Sequence, residues 1–262
     1  MIESRDGLGG ERLVLGATTR GPRSLWFVRH GQSEGNVVRD EAEQQNADRY
    51  QLDTRDADVP LSDLGRRQAA ALGRWIAEQP PELLPDAVLT SPYLRARQTA
   101  DILLAEAGLT GVRRGVEERL RDREMGEWDG YTWRGIVARF PEEAERARLV
   151  GRFFHRPPGG ESWADICLRL RTFLADVARE LEGARVLVVA HDVVIQLVRV
   201  VLEGLDEAAA VELVHGTAYA NAGLSIFERR PGGMLLERYN WTSPVREQGE
   251  PETRSADVPA GR

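Results

Sequence analysis

Three short stretches of the chain are apolar at almost every position: Ser24-Leu-Trp-Phe-Val28, Ala87-Val-Leu89 and Val186-Leu-Val-Val-Ala190. Short runs without alternation read as strands covered on both faces, as in parallel sheets. Between them the apolar period changes. After Ser62, an N-cap residue, Leu64, Leu72, Trp75 and Ile76 recur at helical spacing. Ser91-Pro92 reads as the N-cap and first turn of a helix running to about Ala107. Ser162 to Leu181 predicts a long helix, and Val193 to Leu202, apolar nearly all round, a buried one. Leu224 to Phe227 and Met234 to Tyr239 flank Pro231-Gly-Gly and predict a hairpin. Strands alternating with helices imply an α/β fold: a three-layer αβα sandwich on a mostly parallel sheet of about six strands, with one antiparallel strand near the end. Residues 1–23 lack periodicity and read as a flexible leader, 24–245 as a single domain, and the polar, Pro/Gly-rich 246–262 as a disordered tail.

Composition narrows the chemistry. The 262 residues are 42% hydrophobic and 29% charged, ordinary for a globular protein. All 35 basic residues are arginine. Without lysine there is no Schiff base to pyridoxal phosphate, no Walker A phosphate loop and no protein-kinase lysine. Any phosphate must be held by arginine. Cys167 is the one cysteine, which excludes an internal disulfide or a multi-cysteine zinc site; it lies in a helical pattern and reads as packing. A net charge of −7 argues against general nucleic-acid binding. No signal-peptide core and no apolar run of membrane-spanning length occurs, so the expectation is a cytoplasmic protein with no membrane partner.

Two predicted strands end alike: one runs into Arg29-His30-Gly31, the other into His191-Asp192. Open α/β sheets bind ligands at the carboxyl ends of their strands, so both histidines can converge there. Arg95 falls in the first turn of the helix after the third strand, where free N–H groups and the helix dipole favour an anion. Two arginines, two histidines and a helix terminus describe a phosphate pocket that calls for no metal and no cofactor.

Arg29-His30-Gly31-Gln32-Ser33-Glu34-Gly35-Asn36 resembles the signature of the histidine phosphatase superfamily, the phosphoglycerate-mutase-like group. Further blocks follow in that family's order: Pro60-Leu-Ser-Asp-Leu-Gly65, Ser91-Pro-Tyr-Leu-Arg95-Ala-Arg-Gln-Thr-Ala100, Leu120-Arg-Asp122-Arg-Glu-Met-Gly126-Glu-Trp128-Asp-Gly130, Pro158-Gly-Gly-Glu-Ser162 and Val188-Val-Ala-His191. The resemblance spans residues from about 24 to 242. It implies that His30 is the nucleophile, that Arg29, Asn36 and Arg95 hold phosphate oxygens, and that His191 donates to the same phosphoryl group. The chain departs from the pattern twice. Asp122 stands where the family usually has Glu, one methylene longer. Asp192 follows the second histidine where mutase-like relatives usually have Gly; the acid phosphatase and phytase branch has His-Asp there and uses that Asp as proton donor. Asp122 is favoured as the general acid, with Asp192 as the alternative; Glu118 and Glu124 are nearby carboxylates, and Gln32 is a further candidate site residue.

The expected activity is phosphomonoester hydrolysis through a phosphohistidine, on a small phosphorylated metabolite. The alternative is phosphotransfer of the cofactor-dependent phosphoglycerate mutase type. That subgroup carries a carboxylate clamp in an insertion after the acid motif, and none aligns between Tyr131 and Arg156. A remoter reading takes Gly31-Gln-Ser33-Glu-Gly35 as the nucleophile elbow of a serine esterase, though the preceding strand and His-Gly-Gly-Gly loop that such a fold needs are missing. A non-catalytic descendant of the fold is a third reading, opposed by the presence of both histidines and both arginines. His155 and His215 read as surface or structural, Asn221 as structural, and Arg119, Arg121 and Arg123 as solvated loop, with one of the three able to reach a substrate carboxylate. Specificity is expected in loops 37–59 and 131–160; the first is acidic and polar, which disfavours polyanionic substrates. The oligomeric state is open, with a homodimer among the options.

Overall fold

The apolar runs lie at the centre of one sheet because helices cover them on both sides. The computed structural model describes residues 20–216 and 218–255. In chain order the elements are β1 (Ser24–Arg29), α1 (Glu34–Gln44), α2 (Asp63–Ala77), β2 (Ala87–Thr90), α3 (Leu94–Glu106), β3 (Arg113–Val116), α4 (Trp133–Arg139), α5 (Pro141–Val150), α6 (Trp163–Glu180), β4 (Arg185–Ala190), α7 (Asp192–Glu203), α8 (Glu207–Gly216), β5 (Leu224–Arg230), β6 (Gly233–Trp241) and α9 (Ser243–Glu247). The six strands are ordered β3-β2-β4-β1-β5-β6, and β5 alone runs against the others. This is the expected three-layer arrangement.

Alternation along β1 divides the core. Leu25 and Phe27 face α6, α7 and α8, where they meet Ile166, Leu170, Phe173, Val194 and Leu197. Trp26 and Val28 face α2, α3 and α9, where they meet Leu72, Ile76, Leu103 and Val245. Cys167 is buried on the first face. A third, smaller cluster joins Met125 and Trp128 of the acid motif to Ile136, Ala144 and Ala147 of α4 and α5.

Several boundaries differ from expectation, each for a physical reason. Helix α3 starts at Leu94, with Tyr93 at the N-cap position and no side-chain cap, while the Ser91 hydroxyl meets His191. The loop expected at 37–59 holds most of α1, whose only buried residues are Asn36 and Ala42, too few to show an apolar stripe. The loop expected at 131–160 contains α4 and α5, which pack on the acid motif rather than on the sheet. The edge strand Arg-Arg-Gly-Val of β3 has no apolar pattern because it is largely exposed. Of the tail, 246–255 pack against the domain: Arg67 Nε donates to Glu250 at 3.1 Å, and Ser255 is 1% exposed. In the leader, Gly21 and Pro22 are buried and Arg23 N donates to Ala184 O at 2.7 Å. Residues 1–19 and 256–262, the rest of the leader and tail, lie outside the described residues. Among the described residues no helix is long and apolar enough to cross a membrane.

One backbone contact fixes the loop after β1. A Cβ on Gly31 would stand 2.3 Å from Gly65 O, and one on Gly65 would stand 1.9 Å from Gln32 O. The chain therefore needs glycine at both positions to press the first turn of α2 against the loop. Ser62, the N-cap of α2, adds a hydrogen bond from its Oγ to Gln32 Oε1 at 2.8 Å. Gly65→Ala is expected to lower the unfolding free energy by about 2–4 kcal/mol. Urea denaturation measures this, and an unchanged midpoint would show that the loop can yield.

Candidate active site

β1 and β4 are neighbours in parallel register, with Arg29 opposite Ala190. Their next residues, His30 and His191, therefore leave the sheet side by side, with ring centroids 5.2 Å apart. The His30 Nδ1 lies 2.7 Å from Gly31 O. A carbonyl only accepts, so Nδ1 carries the proton and Nε2 carries the lone pair. Arg95 Nε donates to that Nε2 at 3.3 Å. Burial, followed by the Arg95 charge, pushes His30 well below the usual histidine range, so the ring is neutral at pH 7.

The tautomer of His191 follows from its neighbour. Ser91 Oγ accepts from Tyr93 N at 3.3 Å and lies 2.8 Å from His191 Nε2. The Asp122 carboxylate beside Nδ1 only accepts, which places the ring proton on Nδ1 and leaves Nε2 to accept from the Ser91 hydroxyl. Nδ1 stands 3.3 Å from Asp122 Oδ2, a close contact without hydrogen-bond alignment. Burial lowers His191, and Asp122 partly restores it. Burial alone would raise Asp122, but His191 and Arg95 outweigh it and hold the carboxyl well below its usual range. Ser91, His191 and Asp122 stand in the order of a serine triad, yet Ser91 is fully buried and does not line the cleft.

The two arginines are held differently. Arg95 uses all five donors: Nε on His30, Nη1 on Asp56 O at 2.6 Å and Oδ1 at 3.0 Å, Nη2 on Asp56 Oδ2 at 3.1 Å and on Asp122 Oδ2 at 3.0 Å. Arg29 gives Nη1 to Tyr219 O and Nη2 to Ser255 O at 3.3 Å, and its buried Nε has no hydrogen-bond partner. Asn36 is buried at the third position of α1. Its Oδ1 accepts from Ser33 N at 3.1 Å and from Asn221 Nδ2 at 3.2 Å, and the residue lines the cleft.

These groups line one cleft of about 390 Å³. The structure brings together Arg29, His30, Asn36, Arg95, Asp122 and Asp192 on its wall, with His191 against His30 and Asp122. Asp192 accepts from Gln196 Nε2 and from Tyr219 N at 3.3 Å, and lies 3.8 Å from Arg29 Nη1. Glu124 lines the rim. Gln32 turns away to Ser62 and Gln68, and Glu118 is not on the wall. Ser33, the candidate esterase nucleophile, is the N-cap of α1 and accepts from Asn36 N at 3.1 Å. The hydroxyl that meets His191 is that of Ser91, so the esterase reading is set aside.

Of the three acid-motif arginines, Arg123 lines the cleft, and its Nε donates to Glu161 O at 2.9 Å. Arg119 pairs with Glu117 and Asp176 outside it. Glu161, from the Gly159-Gly160 segment, takes Arg121 and Arg169 and so pins the loop that carries Asp122. His155 is buried and stacks on Trp128 at 4.9 Å, and Asn221 Nδ2 donates to His30 O at 3.3 Å; both are structural. The sequence reading missed Asp56, Asp129, Arg39, Arg55, Tyr50 and Tyr93, all on the cleft wall. Only the Arg-Asp-Ala-Asp run at 55–58 could have drawn notice, and nothing in it names Arg95 as partner.

Residues 25–242 match the sequence profile of the histidine phosphatase superfamily (branch 1). A 2,3-bisphosphoglycerate-dependent phosphoglycerate mutase of Methylobacterium radiotolerans is 33% identical over 193 residues, 73% of this chain and 84% of that protein. The structure of a mycobacterial glucosyl-3-phosphoglycerate phosphatase, solved with VO3, is 29% identical, covers 84% of this chain and 99% of its own, and superposes with a TM-score of 0.64. The α-ribazole phosphatase of Shigella flexneri, 21% identical over 84% of this chain and 96% of that one, shares the fold with a TM-score of 0.66.

Buried neutral histidines make stability depend on pH. The unfolded chain protonates His30 near 6.5, whereas the folded chain resists to a lower pH. The contribution is complete above 6.5 and is lost as pH falls below it toward the folded value. His191 acts in the same direction, and Asp122 adds its loss only further down, through its lowered range. Unfolding free energy is therefore expected to fall from pH 7 to pH 5. His30→Gln should remove part of that slope, up to about 1.4 kcal/mol per pH unit. Equal slopes for the two proteins in denaturant titrations would contradict the assignment.

Proposed function

This chain belongs to the histidine phosphatase superfamily, and from that premise we propose that it hydrolyses a small phosphomonoester through a phosphohistidine on His30. The observation that carries the proposal is the pairing of a neutral His30, its Nε2 lone pair exposed to Arg95, with Asp122 held between Arg95 and His191. Phosphoryl transfer needs in-line placement and neutralisation of the equatorial oxygens. Arg29, Arg95, Asn36 and the Nδ1 proton of His191 are the donors for those oxygens.

In the first step His30 Nε2 attacks phosphorus, the bond to the ester oxygen breaks, and Asp122 protonates that oxygen. A phosphate dianion entering beside Arg95 takes over the charge that now holds Asp122 ionised, which raises the carboxyl's proton affinity and lets it enter the reaction protonated. In the second step the Asp122 carboxylate takes a proton from water, the water oxygen bonds to phosphorus, the P–Nε2 bond breaks, and orthophosphate leaves. Asp192 is tied to Gln196 and Tyr219 on the Arg29 side, which supports Asp122 as the acid despite its shorter reach.

Hydrolysis is favoured over mutase phosphotransfer because no residue between 130 and 160 lines the cleft. The segment that bears the carboxylate clamp in the mutase subgroup is committed here to packing on Trp128 and Met125. The cleft wall also carries five arginines against five carboxylates, a balance that suits a monoester better than a polyphosphate.

Turnover of p-nitrophenyl phosphate is expected, with His30→Ala lowering it by at least about a thousand-fold. Asp122→Asn should be mild on this activated ester and lose about 10²–10³-fold on an alkyl phosphate, whose leaving oxygen needs the proton. Asp192→Asn should show no such leaving-group dependence; the reverse pattern would move the acid to Asp192. Isomerisation of a phosphoglycerate without orthophosphate release would replace the hydrolase reading with the mutase one.

A further inference from the structure

The segment after β6 lies beyond residues 25–242, where the family profile matches, yet it reaches the cleft wall at Ser255. Helix α9 seats Val245 in the core against α2, and the chain then runs along that helix. Arg74 Nε donates to Gln248 Oε1 at 3.1 Å, and Arg67 Nε to Glu250 Oε2 at 3.1 Å. Next come two buried amides. Gln68 Nε2 donates to Pro251 O at 2.9 Å and to Thr253 Oγ1 at 3.0 Å. Asn221 N donates to Thr253 O at 2.9 Å, and Thr253 Oγ1 donates to Asn221 Oδ1 at 2.9 Å. Ser255 follows: its Oγ donates to Asp40 of α1 at 2.7 Å and its carbonyl accepts from Arg29 Nη2.

Gln68 and Asn221 also hold the loop after β1. Gln68 Oε1 accepts from Gln32 N at 2.9 Å, and Asn221 Nδ2 donates to His30 O. The same two side chains thus join residues 251–255 to the residues around His30. Arg29 completes the circuit: it is 3% exposed, its terminal nitrogens rest on Tyr219 O and Ser255 O, and its Nε is the nitrogen without a hydrogen-bond partner.

We propose that residues 251–255 are a strap that positions Arg29 for phosphate, with Ser255 as the positioning residue and Thr253 as its clasp. A guanidinium has one plane, so anchoring both terminal nitrogens to backbone carbonyls sets the direction of the Nε–H as well. Ser255 supplies one of those two carbonyls and closes the cleft wall beside it. The strap binds no phosphate itself; it acts through Arg29. The proposal rests on the reading of Arg29 as a phosphate ligand.

The test compares Thr253→Val, which removes the clasp at both amides, with Asp40→Ala, which frees the Ser255 hydroxyl on a different element. Thr253→Ser keeps the hydroxyl and serves as the conservative control, and Arg29→Ala as the reference. Each variant of the full chain is assayed with p-nitrophenyl phosphate for kcat and KM, for inhibition by orthophosphate, and for its melting temperature. Arg29 binds phosphate in the ground state and the transition state alike, so loosening it is expected to raise KM and the orthophosphate inhibition constant together, roughly 5- to 20-fold, with kcat changed less than about 3-fold. Thr253→Ser should stay near wild type. If Thr253→Val and Asp40→Ala lower the melting temperature but leave the inhibition constant at its wild-type value, the strap is only structural and the proposal fails. If Arg29→Ala itself leaves the inhibition constant unchanged, the phosphate reading of Arg29 fails instead. Should Thr253→Val not fold, the Asp40→Ala result decides.

Discussion

The hydrogen bond from His30 N to Ala190 O, 3.0 Å long, continues the β1–β4 ladder one step past the last paired residues. The arrangement of the whole site depends on it. Because the two strands are parallel and in register, their carboxyl ends coincide, and each hands its next side chain to the same place. Apolar packing on both faces keeps that register. A slip of one residue would turn Leu25 and Phe27 out of the α6–α7 layer and Trp26 and Val28 out of the α2–α3 layer. The hydrophobic core therefore acts on the site directly: it holds two imidazoles 5.2 Å apart although they are distant in sequence.

Placing the rings there brings charge into a confined space. Two guanidinium groups, each about 95% or more buried, stand beside two buried histidines. A buried charge without partners is strongly unfavourable, so each arginine is enclosed by acceptors. The two solutions differ in kind. Arg95 is compensated by the carboxylates of Asp56 and Asp122, whereas Arg29 is held chiefly by neutral carbonyls, with Asp192 at 3.8 Å. An anion entering the cleft thus meets one arginine hydrogen-bonded to two acids and another hydrogen-bonded to carbonyls with one acid at 3.8 Å. The absence of lysine fits this design, since an ammonium group has neither the plane nor the five donors that these contacts use.

Much of this was legible in the chain. The three apolar runs, the hairpin, α2, α6 and α7 are read from periodicity because the sheet and its covering layers leave that imprint. Arg29, His30, Arg95 and His191 are read from strand ends and from a helix start. What escaped the pattern lies where packing is not periodic. Helix α1 buries only two side chains, and α4 and α5 bury theirs on a loop. Residues 246–255 are polar and rich in turn formers, the composition of a free tail, but their backbone is held by side chains distant in sequence such as Gln68 and Asn221. Asp56 escaped for the same reason. A carboxylate on a short 3-10 turn gains meaning only through the arginine it meets across the cleft.

The site is thus built in two tiers that obey different rules. Its inner tier, the two histidines and the two arginines, sits on strand ends and a helix turn whose placement follows from the core. The outer tier, Asp56 with Tyr50 and Arg55 from the first loop and Asp122, Arg123 and Asp129 from the acid motif, is carried by segments with little regular structure. On the proposed phosphatase reading the inner tier meets the phosphoryl group, and selection among leaving groups falls to the outer one. Asp122 belongs to both. Its loop is pinned through Arg121 and Arg169 to Glu161, ahead of α6, while its carboxyl stands between Arg95 and His191. The one methylene that aspartate lacks relative to glutamate is a matter of reach, and reach is set by that pinning. The loop brings Asp122 to 3.0 Å from Arg95, close enough for the shorter side chain to meet the inner tier directly.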